Sequence, residues 1–186
     1  MKRELRVLGV DDAPSVHGQR GPVLVVAPLF RGGSFMDGLL STHVTRDGDD
    51  ASYRLAEMIE RSKFKSQLRA VFLDGIAVAG FNVVDVQALS LRTEVPVIVV
   101  MRERPDVEGM KRALLRLSMG HKVALLDRAG PIEPAGSIFI QRVGISRQDA
   151  VELLRICTVR GHIPEPVRVA HLIASGVADG ESRGRA

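Results

Sequence analysis

Short apolar runs separated by turn residues dominate the first quarter of the chain. Residues 5–11 form one run that ends in acid, and residues 23–31 and 35–45 form two more, separated by Gly32-Gly33. A glycine pair tolerates the positive φ angles of tight turns, so this spacing predicts a hairpin. We therefore expect an antiparallel meander of three strands.

The apolar spacing changes to a helical period after Asp49. Four apolar residues then share one helical face: Ala51, Leu55, Met58 and Ile59. The Asp49-Asp50 pair stands where acids that cap a helix amino terminus are favoured. The pattern predicts a helix that ends near Phe64.

The rest of the chain alternates between strand and helix patterns. The predicted strands cover residues 70–73, 95–101 and 137–142. Predicted helices cover residues 82–93, a stretch from Pro105 to Gly120, a stretch opened by a Ser146/Asp149 capping box, and a last stretch from Pro164 toward Asp179. Three antiparallel strands followed by parallel βαβ units, flanked by helices, are typical of the ribonuclease H-like α/β fold. Since we find no repeat or linker, we expect residues 1–186 to form a single domain.

Two aspartates stand at the predicted carboxyl ends of neighbouring parallel strands. In this topology the first strand lies beside the fourth, so Asp11 and Asp74 are expected to be close together, at the edge where open α/β sheets usually place their sites. Like-charged carboxylates repel unless a proton or a cation lies between them. Oxygen ligands favour Mg²⁺ or Mn²⁺, and a pair of such ions ~4 Å apart would support hydrolytic phosphoryl transfer.

Further acids are candidates for the same site. Asp12 follows Asp11 directly, and Asp49 or Asp50 could supply a third carboxylate, although a plain helix cap explains both equally well. Asp47 and Glu57 are weaker candidates. A turn explains either Asp11-Asp12 or Asp74-Gly75 alone. Their joint placement favours a metal site.

The histidines and the cysteine carry a weaker signal. His171 lies near the apolar stripe of the last helix and is expected to be a packing residue, and His162 a loop residue. The other histidines show no metal-binding spacing: His17, His43 and His121. Cys157 follows core-facing positions and is expected to be inert. No phosphate-binding or dinucleotide fingerprint is present, so a nucleotide cofactor is not expected.

Composition bounds the setting and the partners. The chain of 186 residues is 45% hydrophobic and 26% charged, which favours a packed globule. Its apolar runs are far shorter than the ~20 residues that a membrane-spanning helix needs. Its first residues do not resemble a secretory signal. A single cysteine is compatible with a reducing cytoplasm. A pI near 9.7 permits a nucleic-acid partner, with basic residues gathered in 54–69 and 102–116. Aromatic residues make up only 4%, which argues against base-stacking platforms.

Three segments of the sequence resemble endonuclease V, and more closely a related family called domain of unknown function ninety-nine. VLGVDD and VFLDG are similar to the family's two metal-binding strands and contain Asp11 and Asp74. ISRQDAVELLRICTVRGHIPEPVRVAHLIA is similar to its last two helices. The resemblance implies a ribonuclease H-like nuclease that acts on DNA containing deaminated bases, such as deoxyuridine or deoxyinosine.

The sequence also departs from that family pattern. Endonuclease V has a glutamate on its first helix, preceded by a proline-tyrosine wedge; the chain has RDGDDASYRLAEM there, with Asp50 as the best substitute and no wedge. AGFN replaces a histidine-proline-arginine segment, and Val143 replaces another histidine. The leading hypothesis is a metal-dependent DNA endonuclease. The alternatives are an inactive nucleic-acid- or metal-binding module and a nuclease directed at RNA, while the oligomeric state stays open.

Overall fold

The computed structural model describes residues 4–14 and 21–182. The first half contains β1 (Arg6–Asp12), β2 (Pro22–Arg31), β3 (Phe35–Thr45), α1 (Ala51–Glu60), β4 (Leu68–Asp74), β5 (Ala77–Val78), β6 (Asn82–Val83) and α2 (Val86–Thr93). The second half contains β7 (Val97–Met101), α3 (Val107–Arg116), α4 (Val123–Arg128), β8 (Glu133–Ala135), β9 (Ile138–Val143), α5 (Arg147–Cys157) and α6 (Glu165–Asp179).

A seven-stranded mixed sheet organises the fold, in the order β3-β2-β1-β4-β7-β9-β8. The antiparallel meander of β1, β2 and β3 and the parallel pairing of β1 with β4 and β4 with β7 confirm the predicted mixed α/β sheet. The exception is β9, which pairs antiparallel with β7 because it enters the sheet through a hairpin with β8. Among the described strands, parallel pairing is therefore limited to the three at the centre, β1, β4 and β7.

Alternation along β1 separates the two faces of the sheet. Leu8 and Val10 pack in the same buried cluster as Leu55 of α1, whereas the intervening positions point to the opposite face. On that face α6 crosses β1 so closely that a Cβ at Gly9 would collide with the backbone of Pro166. Glycine at this position therefore allows α6 to lie directly against β1, beside the strand's carboxyl end.

The segment 82–93 corrects one prediction, because it is not a continuous helix. Residues 77–83 form the small hairpin of β5 and β6, and α2 begins only at Val86. The Asp85 carboxylate accepts a hydrogen bond from the Ala88 N–H at 3.0 Å, which caps α2 at this point. The buried Asn82 side chain meanwhile bonds the chain before α1. Those contacts are tertiary and leave no periodic signal.

Two predicted helix ends were also placed too late. The first helix ends at Glu60 instead of near Phe64, and a 3₁₀ turn follows at Lys65–Gln67. The third helix ends at Arg116, and the predicted terminator Gly120 instead begins a second 3₁₀ turn, Gly120–Lys122, which leads into α4. In the described part of the chain, no helix combines the length and apolar character needed to cross a bilayer.

Candidate metal centre

Three side chains meet at the carboxyl edge of the parallel strands: Asp11 of β1, Asp74 of β4 and His171 of α6. One potential ligand atom of each lies within 4.8 Å of the others. The strand register explains the pairing of the acids, because Val10 stands opposite Leu73 and the next position on each strand is aspartate. We call these three residues the carboxylate cluster.

Asp11 is the most strongly perturbed acid in the cluster. It is only 7% exposed, and burial raises the pKa of its carboxyl group to about 7, aided by the negative charges of Asp74 and Asp12. Hydrogen bonds from the Asp12 backbone N–H and from His171 act in the opposite direction. The site therefore holds more negative charge than its surroundings neutralise, which is the condition that a bound cation relieves.

Asp74 has a cationic neighbour at the rim of the cluster. The Arg102 guanidinium, just beyond β7, donates to both Asp74 carboxylate oxygens at 3.2 and 3.4 Å. The Arg102 side chain is 40% exposed, so it stands between the buried acids and solvent. Sequence reasoning did not single out this arginine, because its pairing depends on the alignment of β4 with β7.

His171 takes a different place from the packing role expected for it. Its Nδ1 lies 2.9 Å from Asp11 Oδ2. Its Nε2 is buried and has no hydrogen-bond partner among the described residues. Helical periodicity alone could not identify this histidine as a site residue, because only the close crossing of α6 over β1 brings it to Asp11. It does lie within the segment that resembles endonuclease V.

Asp12 points to the other face of the sheet from Asp11. The Ala79 backbone N–H and the positive charge of Arg46 both lie near its carboxylate and favour its ionised form. Burial nevertheless raises the pKa of Asp12 above its ordinary value. Asp12 thus adjoins the carboxylate cluster without supplying one of its three grouped ligand atoms.

Asp50 is held mainly by Thr45 and Asn82, with Arg54 at 3.8 Å, and is not grouped with the carboxylate cluster. It accepts hydrogen bonds from the Thr45 N–H at 3.0 Å, the Thr45 hydroxyl at 3.0 Å and the Asn82 amide at 2.7 Å. Burial opposes ionisation, but these bonds outweigh it and lower the pKa of Asp50. Its side chain caps no N–H of α1; the Asn82 side chain accepts from Ala51 N–H instead.

The other candidate residues likewise lie outside the grouped three. Asp49 pairs with His121 Nε2 at 2.9 Å, which lowers the pKa of Asp49. The weaker candidates are also engaged elsewhere, with Asp47 bonding the Phe81 N–H and Glu57 pairing with arginines of its own helix. His17 lies outside the described residues. Cys157 is buried, and burial raises the pKa of its thiol to about 12, as expected of an inert core residue.

Comparison with known families identifies the chain. A family model described as endonuclease dU matches residues 3–178, nearly the whole length. The chain belongs to the endonuclease dU family. A relative of this chain, a UPF0215 protein of Methanothermobacter thermautotrophicus, is 49% identical to it over 191 residues, which cover 100% of this chain and 94% of that protein. A UPF0215 protein of Deinococcus radiodurans is 40% identical, covering 96% and 91% respectively.

Solved structures show the same fold. A crystal structure of a protein of unknown function from Archaeoglobus fulgidus is 37% identical to this endonuclease dU family chain, with a TM-score of 0.87 over 93% of this chain and 98% of that one. Endonuclease V from Ciona intestinalis, in complex with DNA containing an inosine followed by a ribo-adenosine, gives a TM-score of 0.56 at 15% identity, covering 89% and 82%. Endonuclease V from Bacillus subtilis gives 0.59 at 10% identity, covering 91% and 78%. The resemblance to endonuclease V is thus confirmed at the level of fold.

Proposed function

We propose that this protein is a divalent-metal-dependent endonuclease that hydrolyses a phosphodiester bond of DNA near a deaminated base, with deoxyuridine as the preferred lesion. The observation that carries the proposal is the carboxylate cluster, in which Asp11, Asp74 and His171 present ligand atoms within 4.8 Å of one another. The name of the matching family supports the choice of deoxyuridine, and the fold shared with endonuclease V bound to DNA supports the nucleic-acid substrate.

The donor set of the carboxylate cluster fits one hard divalent cation. Asp11 and Asp74 would supply anionic oxygens and His171 a nitrogen, and water molecules would complete the octahedral shell that Mg²⁺ or Mn²⁺ prefers. The raised pKa of Asp11 marks the negative charge that such a cation would balance. When bound, the cation would lower the pKa of a coordinated water and neutralise charge on a phosphate group. Our hypothesis of two metals would need ligands from outside these three residues.

Arg102, at the rim of the carboxylate cluster, would bind the substrate. Arg102 carries the planar donor fork that binds phosphate oxygens in two-bond geometry. Its partner Asp74 would be engaged by the cation in the loaded site, so the guanidinium would be available to the DNA backbone. Arg102 would therefore bind and orient the phosphodiester in the proposed reaction.

A nicking assay tests the proposal. Purified protein is incubated with end-labelled oligonucleotides that contain deoxyuridine, deoxyinosine or only normal bases, with Mg²⁺, Mn²⁺ or chelator. We expect nicking of deoxyuridine DNA that requires metal, and loss of at least about 100-fold in rate for Asp74→Asn, in the range found for residues that stabilise charge in a transition state. Asp127→Asn is the matched control, because this exposed carboxylate pairs only with Lys111 among the described residues.

Each alternative gives a different outcome in this assay. Binding of DNA without nicking under every metal condition would replace the enzyme with a binding module of the same fold. Cleavage restricted to matched RNA oligonucleotides would replace the DNA substrate. Nicking that persists in Asp74→Asn would place the chemistry away from the carboxylate cluster.

A further inference from the structure

A buried lysine lies at the centre of the loops behind the carboxylate cluster. Lys122 is 1% exposed, and its ammonium group donates to three backbone carbonyl oxygens, those of Asp47 at 2.9 Å, Gly48 at 2.7 Å and Phe81 at 2.8 Å. The Asp49 carboxylate, 3.3 Å away, balances its charge. All three N–H donors of the ammonium are thus used, which is the condition under which a buried cation is tolerated.

The three carbonyls belong to two loops that are far apart in sequence. One comprises residues 45–50, between β3 and α1, and the other residues 79–82, which join β5 to β6; we call them the locked loop pair. Direct bonds also connect them, since Asp47 N–H donates to Ala79 O at 2.9 Å and Phe81 N–H donates to Asp47 Oδ1 at 2.8 Å. Asp47 and Gly80 both have positive φ, and a Cβ at Gly80 would collide with the Asp47 carboxylate.

The locked loop pair reaches the carboxylate cluster through Ala79. The Ala79 backbone N–H lies close enough to the carboxylate of Asp12 to favour its ionised form, and Asp12 in turn donates its own backbone N–H to Asp11 Oδ1 at 2.9 Å. A chain of polar contacts therefore runs from Lys122 through the loops to Asp11. Lys122 thus joins two of the segments that differ from the endonuclease V pattern, RDGDD and AGFN.

We infer that Lys122 is a positioning residue for the metal site: by fastening the locked loop pair, it holds Ala79 against Asp12 and so keeps Asp11 in its ligand geometry. This inference rests on the proposed function and adds to it a residue that touches neither metal nor substrate. Partners behind metal ligands commonly change metal affinity by about 10- to 100-fold when they are removed. Because Lys122 acts on Asp11 through three intervening residues, Asp47, Ala79 and Asp12, the lower end of that range is expected.

Metal binding without substrate is the direct test. Mn²⁺ affinity is measured by the electron paramagnetic resonance signal of free Mn²⁺ for the full chain and for Lys122→Ala. We expect binding about tenfold weaker in the variant, with n-propylammonium, which matches the deleted part of the side chain, restoring it. Tetramethylammonium, which carries the charge but has no N–H donor, is expected to restore nothing. A purely structural role would lower the melting temperature without moving the Mn²⁺ affinity of the folded protein.

Two further variants make the result decisive. His121→Gln is the matched control, because His121 pairs with the same Asp49 but donates to none of the three carbonyls, so its Mn²⁺ affinity should equal that of the wild type. Gly80→Ala forces the locked loop pair apart from the opposite side and should weaken Mn²⁺ binding as Lys122→Ala does; it decides the question if Lys122→Ala does not fold. Unchanged affinity in folded Lys122→Ala, or in Gly80→Ala when only that variant folds, overturns the inference. If the wild type itself binds no Mn²⁺, the proposed metal site fails and the inference falls with it.

Discussion

Replacing Asp11 by asparagine should remove a loss of stability that the metal-free protein suffers as pH rises. The Asp11 pKa is about 7 in the folded chain against an ordinary value of 3.8. Between these values the folded state binds the proton more tightly than the unfolded state, so the free energy of unfolding falls as pH rises. Each unit is worth about 1.4 kcal/mol, and the shift of about three units corresponds to a loss of up to about 4 kcal/mol between pH 4 and pH 8.

Urea unfolding in the presence of chelator measures this loss. The free energy of unfolding is determined at intervals from pH 4.5 to pH 8 for the wild type and for Asp11→Asn. Acids whose pKa is lowered, such as Asp49 and Asp50, contribute stability that is lost only as pH falls below their ordinary range. They act equally in both proteins, so the difference between the two curves reports Asp11 together with the acids whose charges act on it, Asp74 and Asp12. We expect the free energy of unfolding of Asp11→Asn to increase steadily relative to that of the wild type as pH rises.

Parallel curves for the two proteins across this pH range would refute the reasoning, because they would show that the Asp11 carboxylate carries no excess charge cost in the folded state. Added Mn²⁺ provides an independent comparison. A ligand that binds only the folded protein stabilises it in proportion to the logarithm of its concentration over Kd. Mn²⁺ should therefore stabilise the wild type more at pH 8 than at pH 5, and Asp11→Asn much less at either pH.

Two further substitutions follow from the packing around the site. Gly9→Ala should push Pro166 and α6 away from β1, which lowers the free energy of unfolding by about 3 kcal/mol or more, as in an overpacked core, and weakens Mn²⁺ binding. Chemical denaturation and Mn²⁺ titration measure the two effects. A stability equal to that of the wild type would contradict the close approach of α6 to β1. Asp50→Asn should lower the free energy of unfolding by about 2 kcal/mol, because asparagine presents an N–H donor where Thr45 and Asn82 need an acceptor. Urea unfolding checks this loss, and a stability equal to that of the wild type would contradict the bonding of Asp50 between the two loops.

Local patterns were sufficient for most of the fold. The glycine pair at 32–33, the helical face that begins at Ala51 and the Ser146 capping box each act within a few residues, and the structure places the corresponding β2–β3 hairpin, α1 and α5 where they were expected. The pairing of Asp11 with Asp74 could also be anticipated, because the order of strands in a known topology determines which carboxyl ends are neighbours. In these cases the determining interactions lie within a few residues of one another, or the order of the strands along the chain determines which of them are neighbours.

The parts that sequence could not supply all depend on contacts between distant segments. The sequence pattern predicts Asn82 within a helix, whereas in the structure its side chain forms hydrogen bonds with the backbone of Thr45 and Ala51. The helix cap expected at Asp50 does not form, because its carboxylate accepts hydrogen bonds from Thr45 and Asn82 instead. Burial and the geometry of the available partners determine which hydrogen bonds such polar side chains make, and local periodicity contains no information about either.

The amino-acid sequence by itself determined the mixed α/β sheet and two of the three residues in the carboxylate cluster. Only the tertiary structure decided that His171 joins them and that Lys122 locks the loops behind them. The physical reason is that α6 reaches Asp11 through the close crossing that Gly9 permits, and that Lys122 is stabilised by carbonyl oxygens from two loops that meet only in the folded chain.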